Sequence, residues 1–213
     1  MKTDELINVL STNVEPIDRR QLSREIVAAV ILGTVVAIGT ALALPCMRMD
    51  LSAPNALTYF CAKIIFATVI VIAGTAYLLR LARPGVVSPT RSAPVPWPPV
   101  AVAALSTVSL VSAPLWHWDN MAMGDGWLEC LVSIPIIAVV PFAAVVWAVR
   151  RMAPTDLART GALAGFVAGG ISAAGYALHC TDDSWPFIAL WYGGAILMCT
   201  LAGALLGPRL LRW

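Results

Sequence analysis

Charge is scarce in this chain. Only 12% of its 213 residues are Asp, Glu, Lys or Arg, against about a quarter in an ordinary soluble domain, while 59% are apolar. With a mean hydropathy of +0.81, that excludes a water-soluble globular fold. No basic run interleaved with aromatics occurs either, and a formal net charge of +2 gives no surface for direct nucleic-acid binding. The sequence also lacks a glycine-rich phosphate loop and any HExxH, GxSxG or CxxC motif, and its two histidines stand in different segments. Enzyme chemistry therefore has no support, and no cofactor is implied. The early apolar run and small-residue cleavage site of a secretory signal peptide are missing too, so the first apolar segment is expected to stay in the mature protein.

What the chain does have is long apolar runs. Six of them, about 26–45, 57–79, 97–115, 128–149, 160–179 and 186–206, are long enough to cross about 30 Å of hydrocarbon as helices. The expected fold is an all-α integral membrane protein, a six-transmembrane-helix bundle over 26–213 behind an N-terminal segment over 1–25. Charge placement orients it. Lys2, Arg19, Arg20, Arg24, Arg80, Arg83, Arg91, Arg150, Arg151, Arg159, Arg209 and Arg212 share one side, Arg48 alone takes the other, and Lys63 lies within the second run. By the positive-inside rule both termini are expected in the cytoplasm.

In the tail, Thr3 can cap a helix whose first turn carries Asp4 and Glu5, with Leu6, Leu10 and Val14 at helical spacing and Pro16 ending it. So short a helix is marginal alone, and its apolar stripe needs either the membrane surface or a partner groove. The stretch 80–96 carries Pro84, Pro89, Pro94 and Pro96 and reads as an extended spacer. Pro135 and Pro141 should kink the fourth span. Gly161, Gly165 and Gly169 line one face of the fifth, a surface for close packing within the bundle or for a dimer seam. Lys63, roughly 9 Å inside its span, either snorkels outward or pairs with an outer carboxylate such as Glu129.

The outward side is rich in sulfur. Cys130 and Cys180 fall at the outer ends of the fourth and fifth spans and Cys46 ends the first, while Cys61 and Cys199 read as small hydrophobes buried within spans. In an oxidising compartment Cys130 and Cys180 are candidates for a permanent disulfide or for a responsive thiol pair. Met47, Met49, His117, Met121, Met123 and His179 gather there as well. Thioether and imidazole suit a soft metal such as Cu(I), so His117, Met121, Met123 and His179 are candidate ligands, although their spacing matches no defined site. The same methionines would also serve an oxidant sensor.

Four blocks together resemble a known family: the opening MKTDELINVL with Pro16 after it, LLRLARPG at 78–85, GWLECLVSIPIIAVVP at 126–141 and GYALHCTDDSWPFIALWYG at 175–193. The chain is similar over its whole length to NrsF-type anti-sigma factors, six-span proteins of the bacterial inner membrane that hold an extracytoplasmic-function (ECF) sigma factor inactive. The resemblance implies that the N-terminal cytoplasmic segment grips the sigma factor, favouring partner docking for Leu6 and Leu10. It also implies that the outward-facing pair Cys130 and Cys180 is needed to release it under oxidative or heavy-metal stress. The runner-up reading is a small transporter or metal-handling membrane protein, motivated by Lys63, the soft ligands and the proline-bearing fourth span; a bundle dimerising through the fifth span is a third. Oligomeric state is not legible in the sequence.

Overall fold

The structure, a computed structural model, describes residues 19–43, 55–81, 97–152 and 154–212. Among them there are helices and no strand: α1 (Arg19–Ala43), α2 (Ala56–Leu81), α3 (Trp97–Ser112), a 3-10 turn (Leu115–His117), α4 (Trp118–Met123), α5 (Trp127–Arg150), α6 (Leu157–Tyr176) and α7 (Trp185–Leu210). One stretch near the start of α7, Ile188–Tyr192, is wound as a π-helix.

Five segments are long and apolar enough to cross a membrane: Ser23–Ala43, Ala56–Leu81, Leu115–Arg150, Leu157–Tyr176 and Trp185–Leu210. The third predicted span, 97–115, is realised as the 16 residues of α3, about 24 Å and short of a straight crossing. Pro114 accounts for the early stop, because the residue before a proline is pushed out of the helical region. α5 runs unbroken through Pro135 and Pro141. Pro141 lies over Gly33 of α1, where an added Cβ would stand 3.1 Å from the Pro141 Cα, so the proline packs closely against the glycine.

Large aliphatic side chains face outward, among them Ile31 and Val35 on α1, Ile65 and Ile72 on α2, Ile136 and Val139 on α5, and Leu201 and Leu205 on α7. A soluble bundle turns such residues inward, and a belt of them left outside calls for an apolar solvent. Several hydroxyls within the helices are satisfied locally, Thr34 donating to the Val30 carbonyl, Ser172 to Ala168 and Thr200 to Ile196.

α6 is the axis of the bundle: 72% of its apolar window is buried, against 28–33% for the other four spans. Its sequence, LARTGALAGFVAGGISAAGY, explains this, since small side chains let α7, α2, α5 and α1 approach it from all sides. The closest approach is to α7. A Cβ on Gly165 would strike the Cys199 carbonyl, one on Gly161 would strike that of Gly203, and one on Gly169 would stand 3.2 Å from the Ile196 Cα. The predicted glycine stripe is thus a seam inside the chain. Without a hydrophobic force between helices in lipid, such contact is what van der Waals packing requires.

Two apolar clusters cap the bundle. Ile26, Leu78, Val145, Val149 and Leu211 gather at one end, and Phe66, Cys130, Cys180, Phe187 and Tyr192 at the other. Among the described residues every arginine belongs to the first end. There Arg151 pairs with Glu25 at 3.4 Å and lies 3.9 Å over the Trp147 ring. The pair is half-exposed and contributes well under about 1 kcal/mol. Among the described residues the second end holds Asp119, Asp125, Glu129, Asp182, Asp183 and one cation, Lys63.

Candidate functional site

The segment joining α6 to α7 organises the second end. After α6 closes at Tyr176, a short turn brings Cys180 into the interior, and the next four residues each carry a polar side chain. The Asp182 carboxylate accepts from the backbone N–H groups of Asp125 (3.1 Å) and Gly126 (3.0 Å), two donors at the start of α5 that its first turn leaves unpaired. Ser184 caps α7 by accepting from Phe187 N at 3.1 Å and donates its own hydroxyl proton to the Met121 carbonyl at 2.6 Å. From α7, Trp191 Nε1 donates to the Ala122 carbonyl at 2.7 Å. Gly124 must be glycine: its φ is +56°, and a Cβ there would lie 2.7 Å from Asp182 Oδ1 and 2.8 Å from the Phe187 ring. The α4–α5 turn is therefore clasped to the Thr181–Trp191 stretch, which sets Cys130, in the first turn of α5, into the same cluster as Cys180.

Lys63 reaches this segment from α2 and is fully buried. Its Nζ donates to the Cys180 carbonyl at 3.1 Å and to the Cys180 Sγ at 3.4 Å, pairs with Asp183 Oδ1 at 3.4 Å, and sits 5.9 Å from the centre of the Tyr192 ring. Of the two readings of Lys63, the ion pair is the one observed, with Asp183 as partner in place of Glu129. A bare ammonium in apolar surroundings costs several kcal/mol, so each of these contacts is needed to hold it there. The π-wound stretch of α7 turns both Ile188 and Tyr192 inward. Both sulfurs lie within electrostatic reach of the buried Tyr192 hydroxyl.

Cys130 and Cys180 are 0% and 4% exposed, and no disulfide joins them. Cys199 is buried as expected, but Cys61 is not: it is exposed on the outward face of α2, beside Leu57 and Ile65. An apolar run does not by itself say which face of its helix turns to lipid. His117 and Met123 are exposed, Met121 is half-buried, and both His179 ring nitrogens are buried without a hydrogen-bond partner. Among the described residues no three His, Cys, Asp or Glu side chains converge as a metal site. Leu6 and Leu10, the proline-rich stretch up to Pro96, and Cys46, Met47, Arg48 and Met49 lie outside the described residues. Asp183, which pairs with Lys63, and Tyr192, which lies beside the thiols, are not among the residues expected from the sequence. For Asp183 the signal was present, an acidic pair directly after Cys180 and a lone cation in an apolar run; for Tyr192 there was none.

Residues 10–213 match the profile of a family described as "Negative regulator of sigma F". Two curated relatives, the probable anti-sigma-F factor NrsF of Azospira oryzae and the anti-sigma-F factor NrsF of Caulobacter vibrioides, are each 32% identical, with 100% of this chain and of the relative covered. No solved structure matches the chain. With a matched profile over nearly its whole length and full-length relatives of the same name, this chain belongs to the NrsF family of negative regulators of sigma F.

Proposed function

We propose that this chain is a membrane anti-sigma factor of the bacterial inner membrane. In this reading six spans place both termini in the cytoplasm, residues 1–25 hold an ECF sigma factor through Leu6 and Leu10, and Cys130 and Cys180 face the periplasm. Oxidative or heavy-metal stress acting on the two thiols releases the sigma factor. The role is regulatory and not catalytic.

The observation that carries the reading is the shared cluster of Cys130 and Cys180, wired into three helices by the segment between α6 and α7. Forming a disulfide takes two electrons and two protons from the pair to an oxidant and draws the sulfurs to about 2.05 Å. A thiophilic metal would instead displace the thiol protons. Either event alters the sulfur that Lys63 holds. Since a buried ammonium cannot be left bare, α2 has to follow Cys180 or re-pair, and α5 is tied to the same segment through Asp182. Both helices run the length of the bundle, so a shift at the thiol end reaches the arginine-rich end. Moving the sigma factor from mostly bound to mostly free requires the two states to differ about 10⁴-fold in affinity, roughly 5.5 kcal/mol. Exposing two or three apolar side chains of the tail helix is of that order.

The test is to purify the tagged chain in mild detergent from cells before and after oxidant treatment and identify co-purifying proteins by mass spectrometry. A sigma factor present before and depleted after is expected. Leu10→Asp should insert normally yet free the sigma factor constitutively, and Cys130→Ser or Cys180→Ser should hold it through the treatment. No sigma factor in either sample would overturn the reading in favour of a small transporter or metal-handling protein, with metal content the next quantity to measure.

A further inference from the structure

The two thiols are not equivalent. Lys63 Nζ donates to the Cys180 sulfur at 3.4 Å and to the carbonyl of the same residue at 3.1 Å. No hydrogen bond or ion pair of the described residues reaches the Cys130 sulfur, which is 0% exposed in the first turn of α5. Cys180 lies outside any helix, on the segment that leads from α6 to Ser184, whereas Cys130 stands within α5; the backbone N–H of each is bonded, Cys180 to the Tyr176 carbonyl and Cys130 to that of Gly126. We propose that Cys180 is the attacking sulfur, assisted directly by Lys63, that Cys130 is the resolving sulfur, and that the oxidant is a small uncharged hydroperoxide. This rests on the thiol-sensing reading above and divides its labour.

The chemistry follows from the contacts. As Cys180 attacks one oxygen of hydrogen peroxide, the O–O bond breaks and the sulfur becomes a sulfenic acid. The departing hydroxide takes up the thiol proton and leaves as water. Charge that builds on the sulfur during this step meets the ammonium already placed on it. Cys130 then attacks the Cys180 sulfur, the S–O bond breaks, and the hydroxide leaves with the Cys130 proton as a second water. Two thiols have lost two electrons and two protons, and the peroxide has become two waters. Asp183, 21% exposed, neutralises the ammonium throughout. The size limit comes from burial: with Cys180 4% exposed and an ion pair beside it, a bulky or anionic oxidant is excluded where hydrogen peroxide is not.

The experiment uses the full chain in membrane vesicles holding its sigma factor, with dilute hydrogen peroxide as oxidant, timed samples quenched into denaturant containing a dimedone-type probe that traps the sulfenic acid once the chain is opened, and peptide mass spectrometry to locate it. In Cys130→Ser the probe should label Cys180; in Cys180→Ser it should leave Cys130 unlabelled over the same time. In the Cys130→Ser background, Lys63→Met should slow labelling about tenfold, and Lys63→Arg should keep it within about threefold of the parent. Faster labelling of Cys130, or a rate at Cys180 indifferent to Lys63→Met, would overturn the proposal. Should Lys63→Met fail to insert, the comparison of the two serine variants and Lys63→Arg decides alone. Sigma retention in the same vesicles separates the two levels. Labelling at Cys130 while both serine variants still block release leaves the sensing role standing and sinks the order of attack; a disulfide formed by way of Cys180 with the sigma factor still bound does the reverse.

Discussion

The seam between α6 and α7 and the thiol cluster at the end of α2, α5 and α7 are both buried, and they are held by opposite means. The seam works through what its residues lack: Gly161, Gly165 and Gly203 have no Cβ, so carbonyl groups and Cα atoms of facing helices touch. The cluster works through what its residues carry, an ammonium, two carboxylates, a hydroxyl and a sulfur, each bonded across helices. Packing of the first kind is close to rigid, because there is no side chain to rearrange. Bonding of the second kind has alternatives, because a charge that loses one partner pulls toward another. A fixed axis beside a re-pairable polar end is the arrangement a two-state sensor needs.

The largest effect should come from filling the seam. Gly165→Leu places a side chain where the Cys199 carbonyl stands and should abolish stable folding, read as loss of the monodisperse peak in detergent chromatography; Gly165→Ala should cost about 1–3 kcal/mol. Next come the two halves of the buried pair, which should differ. Asp183→Asn strands a fully buried ammonium and should cost about 2–4 kcal/mol. Lys63→Met leaves a carboxylate that is 21% exposed and can rehydrate, so it should cost less, about 1–2 kcal/mol by denaturant titration. Equal losses would mean that burial of Lys63 does not set the balance. Asp182→Ala removes acceptors from two N–H groups at the start of α5 and should cost about 1 kcal/mol while slowing Cys130–Cys180 disulfide formation, measured by thiol alkylation. The smallest effect sharpens the contrast with the seam. Gly193 and Gly39 have nothing within 4 Å of an added Cβ, so Gly193→Ala or Gly39→Ala should be neutral or stabilise by up to about 1 kcal/mol.

Much of this was legible in the sequence and some was not, for reasons that can be named. Apolar runs at 57–79 and 128–149 became Ala56–Leu81 and Trp127–Arg150, because the hydropathy of a run and the reach of a helix across lipid are the same quantity. The third run is longer than its helix because Pro114 stands inside it. The glycine repeat of α6 announced close packing, and its partner stripe was also there to be read, since Cys199, Gly203 and Gly207 recur at the same four-residue spacing in α7. The partner of Lys63 was another matter. Cys180 and Asp183 are 117 and 120 residues away, and no local periodicity ties them to α2. Cys61 differs from its expected place for a related reason: the residues on either side of it, Phe60 and Ala62, are apolar, and only the packed bundle shows which face of the helix looks outward.

The most direct measurement puts the chain and its sigma factor into sealed vesicles, applies hydrogen peroxide to the side on which the thiol cluster lies, and follows two quantities in the same sample. One is the fraction of Cys130–Cys180 disulfide by peptide mass, the other the fraction of sigma factor set free. The two should rise together in the parent chain, and in Cys180→Ser both should stay at zero. Full release of the sigma factor with Cys130 and Cys180 unmodified would contradict the account.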